Sequence, residues 1–349
     1  MNKSSLIILM LSSIFLTACS ENQIDQDAQT STASNNQAKT ALIVTRENYP
    51  TVETSRQFVI QIKNAGGINK LNKFDGIAKV EFQPIIRLNQ DTVYTMGIVD
   101  VSKGATVTIP DAGDRFISVT FIDSDHYVHA AKYGAGTYDF PQDTDYIYVL
   151  VRIGSETGSV EEDAIIAKLQ DKIVVKANSA IPFTPISYDE ASFEATHKLL
   201  LAEFMTGKHD PKTMFNVKGV ANEEARQVGS AMGWGGGQMI DNFWSMYPDS
   251  KDFSCQSTTF ENPKNEGGFW SVTVYNKDGF LFAPNNINSY RAKLNEDGTY
   301  TVRFGCEGQV NNIDTRTGND TGSWNAALRA YRPSKLVQSG KWEPLKTVK

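Results

Sequence analysis

Residues that usually announce a mechanism are scarce in this sequence. Its 349 residues include only three cysteines and four histidines, and it holds no Gly-x-Ser-x-Gly elbow and no His-Glu-x-x-His pair, the signatures of two large hydrolase classes. The glycine run Gly235-Gly236-Gly237 lacks the Lys-Ser/Thr of a phosphate loop and closes a helical stretch instead of opening one. It reads as a tight connection that lets two backbones approach. Basic clusters are also missing, and the formal net charge is −6. This argues against nucleic acid and anionic lipid heads as partners. No motif implies a cofactor, and none fixes a metal.

Long apolar runs are confined to the start. Leu6 to Leu16 follows a single cation, Lys3, and ends in Leu16-Thr17-Ala18-Cys19. The run is shorter than the roughly 20 residues a spanning helix needs. A charged start, a short apolar centre and small residues before a cysteine resemble a bacterial lipoprotein signal and its lipobox. The expectation is a signal peptide over 1–18, lipidation (palmitate among the acyl chains) of Cys19, and a membrane partner reached only through that lipid. Loss of Lys3 moves the net charge from −6 to −7. Residues 19–40 are Ser, Asn, Gln, Asp, Thr and Ala with almost no large apolar side chain, so they cannot offset the entropy of ordering and read as a disordered tether. Ser20 after the cysteine, where no aspartate stands, is compatible with outer-membrane sorting, placing the protein in the cell envelope on the outer-membrane or periplasmic face.

With Cys19 assigned to lipid, Cys255 and Cys306 remain in a compartment that permits disulfides, and they are expected to pair. Thr51 to Ala65 reads as an amphipathic helix with Val52, Phe58, Val59 and Ile62 on one face, stopped by Gly66-Gly67. Strand signals then crowd 92–101, 105–109, 115–122, 126–132 and 146–153, separated by Pro-Asp-Ala-Gly-Asp and Tyr-Gly-Ala-Gly turns. Helices follow over 164–173, 191–205 and 222–232, the first two preceded by capping boxes at Ser159/Glu162 and Ser187/Glu190. Strands return over 268–332, with Asn276 to Gly279 and Asn295 to Gly298 as hairpin turns. The fold class is therefore α+β, mostly β: two β-sandwich-like modules over 41–155 and 251–349 with a helical connecting segment over 156–250.

Two groups of residues are candidates for chemistry. Asp123-Ser124-Asp125-His126-Tyr127-Val128-His129 gathers two carboxylates and two imidazoles. On a helix His126 and His129 would share a face and suit a metal, but strand alternation sends them to opposite faces, so a polar pocket wall is the stronger expectation. His197 and His209 look structural. The second group is aromatic and amide-rich: Phe269, Trp270, Tyr275, Asn285, Asn286, Tyr290, Arg291, Trp324, Tyr331 and Arg332. Flat rings beside planar hydrogen-bonding groups suit a sugar, yet they also suit a sandwich core.

The run Phe269-Trp270-Ser271-Val272-Thr273-Val274-Tyr275, then Asn286, Tyr290, Asn295-x-Asp297-Gly298, Arg329-x-Tyr331-x-Pro333 and Trp342-x-Pro344 resembles domain of unknown function 1214. Upstream, Asn89-x-Asp91-Thr92-x-Tyr94, Asp100, Ile109-Pro110-Asp111 and Arg115 resemble its usual N-terminal companion, domain of unknown function 1254. The resemblance implies two β-sandwich-dominated parts with helices between them and no established reaction. The chain departs from the pattern at Thr321 to Ala326, where relatives tend to carry Asn-Trp-Leu-Pro.

The functional expectation is an envelope lipoprotein that binds a small polar or glycan-like ligand in a cleft between the modules, with Asn89, Trp270, Tyr275, Asn286 and Tyr290 as candidate contacts. An enzyme of hydrolase or lyase type acting on a saccharide-like substrate is the alternative. It would use Asp91, Tyr94 or His126 for proton transfer and Arg115 as anion stabiliser. A structural envelope protein is the third reading. Convergence of Asp91, Tyr94, Arg115 and His126 favours the enzyme, an aromatic groove without them favours binding, and neither favours structure.

Overall fold

Proline and glycine punctuation sets the first element of the computed structural model, which describes residues 41–349 apart from 84, 85 and 284. The signal peptide, Cys19 and the tether lie outside the described residues. Helix α1 (Tyr49–Ala65) has Pro50 in its first turn, where a missing N–H is no loss, and ends at Gly66, whose φ of 77° suits a residue without a Cβ. Val52 and Phe58 are buried, and Ile62 packs at the edge of the same cluster. Val59, expected on that face, is exposed because the covered stripe ends beside it.

Strands β1 (Asn72–Lys73), β2 (Thr92–Asp100), β3 (Ala105–Ile109), β4 (Ile117–Ile122), β5 (Lys132–Tyr133), β6 (Gly136–Asp139) and β7 (Tyr146–Gly154) come next. Then follow α2 (Val160–Gln170), β8 (Val174–Ala177), α3 (Glu190–Met205) and α4 (Glu223–Gly233). The C-terminal part holds β9 (Asn242–Ser250), β10 (Gln256–Glu261), β11 (Phe269–Asn276), β12 (Asn286–Asn288), β13 (Thr299–Phe304), β14 (Asn312–Ile313), β15 (Trp324–Tyr331) and a short α5 (Lys335–Gln338). Among the described residues strands account for 28% and helices for 22%, an α+β protein that is mostly β. Among the described residues no helix is long and apolar enough to cross a membrane.

Each module is a two-sheet sandwich. In the first, the sheet β1-β2-β7-β4-β5 faces the sheet β6-β3-β8 across a core that includes Val93, Val99, Val107, Val119, Val149 and Val151. In the second, β12-β11-β15-β9 faces β10-β13-β14 across Trp270, Val272, Val274, Val302, Phe304, Trp324 and Leu328. Cys255 and Cys306 bond with their Cα atoms 4.5 Å apart. Closing that 51-residue separation stabilises the fold by about 4 kcal/mol in the chain-entropy picture.

The expected helical connector is not a layer of its own. Residues 40–349 form one unit, and 156–250 is shared out: β8 pairs with β3, and β9 pairs with β15 of the second module. Helices α1, α3 and α4 supply Phe58, Phe193, Leu200 and Val228 to a core over the other face of the five-stranded sheet, against Met96, Ile98, Ile122 and Leu150.

Two local expectations change for identifiable reasons. Ser159 does cap α2, accepting the N–H of Glu162, but the Ser187/Glu190 box does not form. The Ser187 carbonyl accepts the N–H of Leu42 at 2.9 Å in a bridge, which keeps the chain extended there, and Asp189 caps α3 instead. The strand expected over 126–132 is mostly a turn. The Asp123 carboxylate captures the N–H groups of Asp125 and Tyr127 at 2.9 and 2.8 Å, an Asx turn that competes with strand pairing. His126 sits at its corner with φ 65°.

Candidate functional site

Strand alternation builds the first candidate region, the junction between the modules. Register aligns Tyr94, Arg152, Ser118 and Tyr133 in one row across β2, β7, β4 and β5. On the second module, Asn288, Ser271, Arg329 and Trp244 align across β12, β11, β15 and β9. Asp91, just before β2, is fully buried between them. It accepts hydrogen bonds from Ser271 Oγ at 2.6 Å, Asn286 Nδ2 at 3.0 Å and Tyr331 Oη at 3.2 Å. Burial, reinforced by the Asp91 charge, pushes the Tyr331 phenol well above its ordinary range, so it remains a donor. The Tyr275 hydroxyl donates to the Leu88 carbonyl at 2.7 Å and accepts from Arg329 Nη1 at 2.9 Å. The segment leading to Asp91 is thus clasped by the neighbouring sheet.

Asp91, Ser271 and Tyr331 are all buried at this junction. The space enclosed by Phe116, Ser118, Thr120, Tyr133, Arg152, Asp241, Asn242 and Tyr331 measures about 10 Å³, room for roughly one water. The Nε of Arg152 and the Oδ1 of Asn242 have no hydrogen-bond partner there.

The residues singled out from the sequence fall in different places. Asn89 shapes the turn into β2, its Oδ1 accepting the N–H groups of Asp91 and Thr92, each at 3.1 Å, while its Nδ2 meets Tyr94 Oη. Arg115 reaches Glu162 and the Gly154 carbonyl, not Asp91. Glu162, which the sequence reading treated only as a capping residue, also accepts the N–H groups of Glu156, Thr157 and Gly158. Burial alone would raise its carboxyl, but the Glu156 N–H, Arg115 and Thr157 outweigh it and hold it at about 2. His126 is fully buried, stacked on Trp234 and edge-on to Phe215, with Nε2 accepting the Gly235 N–H at 3.1 Å. Burial and the Arg226 charge lower its pKa to about 3, leaving a neutral ring. Asp91, Tyr94, Arg115 and His126 therefore share no space in which a substrate would meet them together.

The aromatic candidates also divide. Trp270 is buried in the second module's core against Phe260 and Tyr300, and Tyr275 is fully buried, so neither presents a face to a ligand. Asn286 serves Asp91, and Tyr290 packs tilted against Phe269 with ring centroids 5.0 Å apart.

The second candidate region opens beside β5 and the loop between β6 and β7. A groove of about 470 Å³ is lined by Phe121, His129, Ala130, Lys132, Asp139, Phe140, Pro141, Gln142 and Asp143. His129 and Asp143 line it, and Asp123 adjoins them: one ligand-type atom from each of the three lies within 4.8 Å of the others. His126 and His129 do point apart. The signal for this group was half visible, since Asp123 and His129 were marked, while Asp143 arrives from the loop between β6 and β7.

The geometry defines a class of protein: two β-sandwich modules welded through a buried carboxylate, with an open polar groove on the first. Residues 68–139 match the family model of protein of unknown function (DUF1254), and residues 247–335 match that of protein of unknown function (DUF1214). The chain carries these two modules in the order its motifs predict. No curated protein matches the sequence. The fold is similar to the crystal structure of the VPA0106 protein from Vibrio parahaemolyticus, 18% identical with a TM-score of 0.64, over 85% of this chain and 96% of that one. A putative uncharacterized protein from Burkholderia cenocepacia is 14% identical with a TM-score of 0.45, over 83% and 84%.

Proposed function

We propose that the protein is a lipid-anchored cell-envelope protein whose first module binds a small, neutral, saccharide-like ligand in the groove beside His129. The observation that carries this reading is the contrast in volume. The groove, at about 470 Å³, falls in the range of roughly 300–1,000 Å³ typical of small-molecule sites, whereas the space beside Tyr331 at the junction measures about 10 Å³. Asp139 and Asp143 face one cation, Lys132, along the walls, so an anion is disfavoured. A ligand rich in hydroxyls both donates to carboxylates and accepts from Lys132 and Gln142. The enzyme alternative loses support because its four candidates do not converge. The anchor rests on the Leu16-Thr17-Ala18-Cys19 signal, and palmitate labelling that persists in Cys19→Ser would remove it.

The test is a thermal-shift screen of the mature chain against mono- and disaccharides, followed by titration of any hit. A ligand at 100 times its Kd adds about 2.7 kcal/mol, and Gln142→Ala is expected to weaken the hit at least tenfold. No shift with any saccharide would return the protein to a structural role. An affinity unchanged in Gln142→Ala would place the ligand elsewhere.

A further inference from the structure

We infer that Asp123, His129 and Asp143 form a binding site for a divalent first-row transition ion, of which Zn²⁺ is the probe, on the wall of the groove. The inference deepens the groove reading and rests on it for the ion's use, but not for the ion's binding. Three features carry it. Asp123 is only 5% exposed, and its Oδ1 is committed to the N–H groups of Asp125 and Tyr127. Its Oδ2 accepts no hydrogen bond among the described residues. His129 Nε2 is enclosed and has no hydrogen-bond partner, although Asp143 Oδ2 lies only 3.8 Å away. Metal bonds of about 2.0–2.2 Å hold two tetrahedral ligands roughly 3.4 Å apart, a separation that a small rotation of the half-exposed Asp143 reaches.

The backbone keeps the three together. The Asx turn that follows β4 fixes Asp123, and the His129 N–H donates to the Phe121 carbonyl at 3.0 Å, setting the ring's position. Thr144 Oγ1 donates to Ser124 Oγ at 2.9 Å, and Ser124 Oγ donates to the Tyr146 carbonyl at 3.2 Å. These bonds tie the loop that carries Asp143 to the turn that carries Asp123. Two carboxylates and a neutral imidazole balance a divalent charge, and an imidazole ligand favours zinc-like ions over calcium or magnesium. Three protein ligands leave a further coordination position, which the placement of His129 and Asp143 on the groove wall directs toward a bound hydroxyl.

The molecule contains its own control. Glu203, His209 and Glu224 form a second cluster of the same size, but protein cations already occupy it. Arg46 Nη1 pairs with Glu203 at 2.9 Å, and Lys208 Nζ lies 3.2 Å from Glu224. Among the described residues Lys132 forms no ion pair with Asp123 or Asp143.

The experiment uses the full mature chain, stripped with EDTA, dialysed against ZnCl₂ without saccharide, and its bound zinc counted by elemental analysis. One equivalent is expected in the wild type and in His209→Ala. Less than one tenth is expected in His129→Ala and in Asp143→Asn, and the latter is a surface change that leaves folding intact. No stoichiometric zinc in the wild type, or equal zinc in His129→Ala, overturns the inference. Because the dialysis contains no saccharide, zinc bound by a protein that takes no sugar would fail the groove reading alone.

Discussion

Two carboxylates show how differently the two polar regions are made. Asp91 at the junction is fully buried, and both its oxygens are satisfied by side chains of the other module. Asp143 at the groove is half exposed, and the imidazole beside it has no partner. A buried polar group is tolerated when its bonds are complete, so the junction is a structural weld even though its residues carry the family motifs. Under-satisfied groups at an open surface are where a ligand has something to offer. The lesson is that motif residues and ligand-ready residues are separate sets in this chain.

The comparison breaks most sharply at Asp91. Asp91→Ala leaves the donors of Ser271, Asn286 and Tyr331 without their acceptor in a sealed space, at an expected cost of about 4 kcal/mol. Urea melts measure it, and saccharide binding at the groove should be unchanged. A wild-type melting curve for this variant would mean that the junction is not a weld.

A smaller effect comes from Glu162, whose loop leans on the second module through Asn288 Nδ2 to the Glu156 carbonyl at 3.1 Å. Its folded pKa of about 2 lies below the ordinary 4.5. The stabilisation is therefore present above about pH 4.5 and is lost as pH falls toward 2. That shift corresponds to on the order of 3 kcal/mol. Melts between pH 5 and 3 should lose less stability in Glu162→Gln than in the wild type, and an identical slope in the two proteins would reject the assignment.

The smallest effect belongs to the groove. Asp143→Asn should stay within about 0.5 kcal/mol of the wild type, as exposed substitutions do, while removing metal. A large loss of stability would merge the two regions into one structural network and end the contrast.

Much of the fold was legible along the chain. The C-terminal end of α1, the span of β3, the start of β7, the turns at Gly279 and Gly298, and the pairing of Cys255 with Cys306 follow from local rules of glycine geometry, alternation and cysteine arithmetic. The site was less legible. Asp143 lies beyond two strands from His129, and nothing in its own neighbourhood marks it as a ligand. Glu162 carried a capping signal that was real but hid its larger role toward Arg115.

What the sequence determined by itself is most of the helices and the strand-rich character of the two modules, because hydrogen bonding in turns and the alternation of side chains are decided within a few residues; β8 and β9, inside the stretch that reads as helical, depend on pairing with distant strands. What only the tertiary structure decided is which polar groups end up finished. Asp91 meets Asn286 across 195 residues, and the Nε2 of His129 is left without a hydrogen-bond partner. Satisfaction of a buried polar atom depends on what packs against it, and packing between distant segments is a property of the folded body.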